Sequence, residues 1–224
     1  MLTLAEEVLL LALDDEDGSF RPLPRHAMEF ALTSAVLMDL LLARRLDADL
    51  EQLILVDRTP LGDELLDPIL AAIARSTERY NARRWIMVLS QEAGEIRRRA
   101  LLRLVQRGVL RQSDDKLLWV LGRRRYPVLD DSEQREAKLR ILGIVLGDEI
   151  PDHRDVVLVA LAHAAGLFDA ILTRREARMA ATRIADVARM DLIGQALYMA
   201  KQDMREWGRW VGSPREVVWG GKGA

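Results

Sequence analysis

The chain has no cysteine, only three histidines, and lysine at just four positions, 116, 138, 201 and 222. The missing thiols exclude disulfide frameworks, thiolate zinc sites, iron–sulfur clusters and cysteine nucleophiles, and they fit a reducing compartment. His26, His153 and His163 are the whole supply of imidazole. His163 lies inside the apolar stretch Val156–Phe168, where a hydrogen-bonded core histidine is a better reading than a ligand or base. That stretch is also the longest uncharged apolar run, at 13 residues, against the roughly 20 needed to span a bilayer. The opening residues lack the basic segment of an export signal and run on into the acidic cluster Asp14–Asp17. The expected location is cytoplasmic, with membrane contact limited to peripheral attachment on the inner face.

Catalytic signatures are also missing. The acidic pairs Asp114-Asp115 and Asp130-Asp131 are adjacent in loops, so no two carboxylates are fixed across a cleft for acid–base work. Gly220-Gly221-Lys222-Gly223 lacks the preceding strand and following helix that a phosphate loop requires. The expectation is a protein that is not an enzyme and has no metal site and no cofactor.

What is present is a large apolar fraction, 50% of 224 residues, with 30% charged. A chain of this length buries roughly 70% of the surface exposed when unfolded, so it can hold a core without cross-links. Apolar residues recur at helical spacing over Leu2–Leu13, His26–Arg45, Glu64–Ser76, Ala82–Leu89, Ala93–Arg107, Ser132–Leu146 and Asp152–Phe168. The same holds for Thr173–Trp210, with a break expected near Asp191. In the first of these, Glu6 and Glu7 read as the polar side of an amphipathic helix. Leu53–Val56 reads as a short strand, and Val109–Arg111 with Leu117–Leu121 has the lengths of a β-hairpin. No linker or internal repeat divides the chain. One helical domain over residues 1–210 is expected, followed by a flexible tail over 211–224. Near that boundary, Trp207, Trp210 and Trp219 mix with Arg205, Arg209 and Arg215, a combination suited to packing on the body or to a bilayer interface.

The net charge is −2, from 33 basic and 35 acidic residues, which argues against a nucleic-acid coat protein. Distribution matters more than the sum, because two arginine triplets, Arg97–Arg99 and Arg123–Arg125, flank the hairpin. Guanidinium groups recognise phosphate bidentately and stay charged. A triplet near an anionic membrane, at about 1 kcal/mol per arginine, favours partitioning roughly a hundredfold. An ordinary solvated helix face accounts for the same triplets equally well. A helix followed by a basic hairpin also matches a winged-helix DNA reader, although no helix–turn–helix pair precedes it and the chain is slightly acidic.

Several longer motifs carry a family resemblance. These are the opening Leu-Thr-Leu-Ala-Glu-Glu-Val-Leu-Leu-Leu-Ala-Leu-Asp-Asp, the segments Leu37–Leu46 and Thr59–Asp67, Leu104–Leu110, Arg124–Val128 and Leu158–Leu167. In order and spacing, from Leu2 to about Met199, the chain resembles the Golgi phosphoprotein 3 family, specifically its bacterial branch. The resemblance implies a mainly α fold, a central helix group wrapped by amphipathic helices, with one projecting β-hairpin used in self-association. Leu110, Leu118 and Trp119 are the hairpin residues assigned to that contact.

Eukaryotic members of the family bind phosphatidylinositol 4-phosphate on the Golgi surface and hold glycosyltransferases by their cytosolic tails. They are adaptors without catalytic residues. Their headgroup pocket uses a tryptophan, an arginine and a basic pair, which fall at Pro24, Thr33, Gly94 and Arg97 of this chain. Arg97 alone is retained, and Arg98, Arg25 and Arg44 are the other candidates for binding a lipid headgroup. The implied partners are an anionic, phosphoinositide-like phospholipid, a protein client and a second copy of the chain, with no nucleic acid. A soluble oligomeric scaffold that never touches lipid is the alternative.

Overall fold

The computed structural model describes residues 1–14, 17–49, 51–111, 125–191 and 194–196, apart from the Arg25 side chain. At its centre is α1 (Leu4–Ala12), all nine residues of which are buried. Thr3 caps this helix: its hydroxyl accepts from the Glu6 N–H at 3.3 Å, and the Glu6 carboxylate accepts from the Thr3 N–H at 2.7 Å. This reciprocal pair satisfies two backbone donors that would otherwise be orphaned in the interior.

Around α1 pack α2 (Arg25–Leu42) and α5 (Ala93–Gln106), together with α6 (Ser132–Leu146) and α7 (His153–Ala165). Helix α7 carries a second capping box, between Asp152 and Asp155, and ends at Gly166 with φ 79°, a left-handed C-terminal stop that glycine adopts without strain. His163 is half-buried, whereas the other residues of the helix from Val156 on are buried. The outer elements are α3 (Asp67–Arg75), α4 (Ala82–Leu89), α8 (Phe168–Ile171) and α9 (Arg174–Ala188). One continuous apolar core runs through them.

The mainly helical architecture agrees with the periodicity of the sequence. Ala82–Leu89 and Ser132–Leu146 have the observed boundaries, and the long C-terminal pattern breaks after Ala188, close to Asp191. The two-stranded antiparallel hairpin pairs β1 (Leu46–Ala48) with β2 (Leu53–Leu55), in register Leu46↔Leu55 and Ala48↔Leu53. The expected hairpin over Val109–Leu121 lies largely outside the described residues. Among the described residues, Leu110 forms an isolated antiparallel bridge with Val128, outside the expected pairing, and the Arg111 N–H donates to the Pro127 carbonyl at 2.9 Å.

Two conspicuous motifs are scaffolding. In Thr59–Asp67, Gly62 takes φ 72°. Asp63 accepts from the Leu65 N–H at 2.8 Å, and Asp67 accepts from the Leu61 N–H at 2.7 Å. In the turn after α1, Gly18 takes φ 65° and lies flat against the Tyr126–Pro127 backbone, its carbonyl accepting from the Tyr126 N–H at 2.9 Å. That contact fixes Phe20 edge-on to Tyr126, with ring centroids 6.0 Å apart.

Candidate functional site

The arginines of α5 divide by what they face. Arg98 forms two 2.8 Å hydrogen bonds to Glu95. Arg99 reaches the same carboxylate at 2.7 Å and the Glu64 carbonyl at 2.8 Å. Held by both guanidinium groups, the Glu95 carboxyl is brought down to about 2. Arg103 grips both oxygens of Asp63 at 2.8 Å and approaches Glu6 at 3.3 Å, while Arg107 approaches Glu6 at 3.7 Å. Arg97 alone in this set is turned to an aromatic ring. Its guanidinium carbon sits 4.0 Å from the centroid of Phe20, and no carboxylate of the described residues is within ion-pair distance of it. Burial pulls its pKa below the usual arginine value. A partly buried guanidinium over a π face is held by the ring and keeps the geometry to take an anion.

Beside this corner lies a cavity of about 670 Å³ between the Ser19–Pro24 segment, the first turn of α2 and the turn joining α7 to α8. Phe20 belongs to its wall as well as carrying Arg97. The backbone of Arg25 begins α2 at the edge of the cavity, next to Pro24 and His26.

Arg44 is elsewhere. It follows the C-terminus of α2, exposed and with φ 55°, and lines a separate hollow of about 540 Å³ with Asp47, His153 and Asp191. At about 1.5 Å per residue, the length of α2 puts Arg25 and Arg44 more than about 25 Å apart, so they cannot hold one headgroup. The start of α2, where the Arg25 backbone lies, and Phe20, which carries Arg97, border the same cavity. Arg98 is next to Arg97 in sequence but exposed and paired, and Arg44 is remote. Of the family-implied positions, Pro24 lines the cavity, while Thr33 is fully buried with its hydroxyl donating to the Glu29 carbonyl at 2.9 Å. A buried threonine cannot present a cation at the surface.

Leu110, expected on a self-association surface, is 1% exposed and belongs to the core, so it is not available to meet a second copy. Leu118 and Trp119 lie outside the described residues. Among the described residues, no group of three or more histidine, aspartate or glutamate side chains is arranged to hold a metal ion, and no helix is long and apolar enough to cross a membrane.

Sequence reasoning also placed Glu6 and Glu7 wrongly. They are 0% and 5% exposed, because arginines from three later helices surround them. Arg154 donates to Glu7 at 2.8 Å and to the Leu2 carbonyl at 2.7 Å, and Arg140 reaches Glu7 at 3.2 Å and Asp155 at 2.9 Å. Asp39 joins them, accepting from the Leu4 N–H at 2.9 Å and lying 3.5 Å from Arg154. Burial raises the pKa of Glu7 and takes that of Asp39 up to about 7. The one available signal was the adjacent pair Glu6-Glu7 inside an otherwise leucine-rich run.

The chain is thus a mainly helical protein with one apolar core, in which Arg97 faces no carboxylate of the described residues beside a surface cavity. Comparison with known proteins gives the family: the profile described as Golgi phosphoprotein 3 (GPP34) matches residues 4–204, and the chain belongs to that family. It is similar to vacuolar protein sorting-associated protein 74 of Eremothecium gossypii, at 27% identity over 207 residues, covering 77% of this chain. The chain spans 62% of the length of that curated relative.

Proposed function

We propose that this chain is a non-enzymatic peripheral membrane adaptor that binds an anionic phospholipid headgroup, phosphoinositide-like in chemistry, with Arg97 as the principal phosphate contact. The observation that carries this reading is the state of Arg97: partly desolvated, stacked on Phe20 and facing no carboxylate. Arg25, at the start of α2, is the second cation of the site. Arg98 adds charge when a phosphate displaces it from Glu95, and Arg44 makes a separate, weaker membrane contact. Membership of the Golgi phosphoprotein 3 family, and a relative named for vacuolar protein sorting, support an adaptor that holds a protein client at a membrane surface. In this reading the protein works on the inner face of the membrane.

Co-sedimentation at low salt tests it. Vesicles containing phosphoinositide or cardiolipin are expected to carry the protein down, neutral phosphatidylcholine vesicles are not, and Arg97→Glu reduces the difference roughly tenfold or more. Equal recovery with both vesicle types sinks the proposal.

The bridge between Leu110 and Val128, which brings the two ends of the intervening segment together, favours a second reading, a soluble scaffold that self-associates through that segment. Light scattering on a deletion of residues 112–120 separates the two. A smaller particle that still binds vesicles assigns the segment to oligomerisation alone.

A further inference from the structure

The cavity next to Arg97 is poorly suited to a phosphate. Asp14 and Asp169 are on its lining, and its own arginine, Arg21, faces Asp14 at 3.5 Å and donates to the Ala170 carbonyl at 3.3 Å. His26 is engaged with Glu29 at 3.2 Å. The rest of the wall is mainly apolar, including Leu23, Ala27, Phe30, Ala165 and Ala170. Phe20 joins the two features, since it lines the hollow and its ring carries the Arg97 guanidinium at 4.0 Å. A cation and an apolar hollow therefore share one aromatic residue, Phe20.

We propose that this cavity takes the apolar, glycerol-proximal part of the same phospholipid whose phosphate sits at Arg97. The protein thereby recognises a whole amphiphile and not a headgroup alone. With Arg21 matched by Asp14 and with Asp169 beside them, the lining offers no surplus positive charge to a phosphate, which stays at the Arg97 corner. The uncharged start of the acyl chains, one glycerol unit away, replaces water against the apolar wall. A volume of about 670 Å³ accommodates several methylene groups of each chain. The inference rests on the reading that Arg97 holds the phosphate.

Titration calorimetry on the whole chain tests it, using three soluble probes: dioctanoyl phosphatidylinositol phosphate below its micelle concentration, the matching deacylated glycerophosphoinositol phosphate, and dioctanoylglycerol. The acylated phospholipid is expected to bind at least tenfold more tightly than its deacylated headgroup. Ala170→Leu, which fills the cavity, removes that advantage while leaving headgroup affinity within twofold. Ala27→Leu is a second filling variant, and the comparison of probes on the unsubstituted protein stands without either. Equal affinity for acylated and deacylated probes, both lost in Arg97→Ala, overturns the inference and leaves the headgroup reading intact. Dioctanoylglycerol binding as tightly as the phospholipid, unaffected by Arg97→Ala, also overturns it, because the cavity would then be an independent apolar site such as one for a client side chain. No binding of any probe, together with no vesicle association, removes the headgroup reading itself.

Discussion

Glu7 of α1 and Arg154 of α7 meet at 2.8 Å across 147 residues of sequence. The same arginine holds the Leu2 carbonyl and faces Asp39, so one guanidinium ties the entrance of the central helix to both α2 and α7. Removing one partner of such a cluster leaves an uncompensated buried charge, which typically costs about 3–5 kcal/mol. Arg154→Met is expected to lose that much in urea denaturation. Adding Glu7→Gln is expected to recover part of the loss, since the stranded carboxylate goes with it. Strictly additive losses would mean that the pair is not energetically coupled.

Asp39 sets a pH dependence of defined sign. Its pKa in the folded protein is about 7, against an ordinary 3.8, because burial outweighs the attraction of Arg154 and the Leu4 hydrogen bond. Between those values the folded state binds more protons than the unfolded chain, so stability falls as pH rises towards and through 7. Glu7, also raised by burial, acts in the same direction. Asp39→Asn keeps an acceptor for the Leu4 N–H and removes the titration. Between about pH 5 and 8 the wild-type protein is expected to lose stability relative to this variant, by on the order of a few kcal/mol. Thermal melts of both proteins across that range check it, and the difference cancels the histidines, which both share. A parallel pair of curves would refute the assignment.

These electrostatic features separate what the sequence shows from what it conceals. Helices such as Ala82–Leu89 and Ser132–Leu146 declare themselves because their periodicity and end signals are local. Glu6 and Glu7 did not, because the arginines that allow their burial lie on α5, α6 and α7, and no spacing rule links them to α1. The strand Leu46–Ala48 was missed for a different reason, as three residues are too few to show alternation. The arginine triplet 97–99 was legible as a basic run. Its division into one aromatic-stacked and two carboxylate-bound members depends on where Phe20 and Glu95 are placed by the fold.

Gly18 controls the platform under Arg97. A Cβ at this position would collide with the Tyr126 carbonyl, and its φ of 65° is one that L side chains rarely adopt. Gly18→Ala is therefore expected to cost about 2 kcal/mol or more, lowering the thermal midpoint by roughly 4–8 °C for a chain of this size. The variant is also expected to weaken binding to anionic vesicles at temperatures where it remains folded, because Phe20 lies two residues away. An unchanged midpoint would show that the turn yields to the new methyl group.

The division of the α5 arginines predicts unequal effects from equal charge changes. Arg97→Glu is expected to reduce partitioning onto anionic vesicles roughly tenfold or more. Arg98→Glu reduces it less, because the Arg98 charge is already matched by Glu95. The double substitution abolishes binding, and each variant stays within a few degrees of the wild-type midpoint. Glu95→Gln works the other way. It releases Arg98 and Arg99 from the carboxylate they share, and vesicle binding should rise several-fold with a steeper dependence on salt. A count of net charge ranks Arg97→Glu and Arg98→Glu as equals, whereas the positions of Phe20 and Glu95 do not. Co-sedimentation of the four variants at one ionic strength decides between these views, and identical losses for the two single arginine variants would show that surface charge alone governs the association.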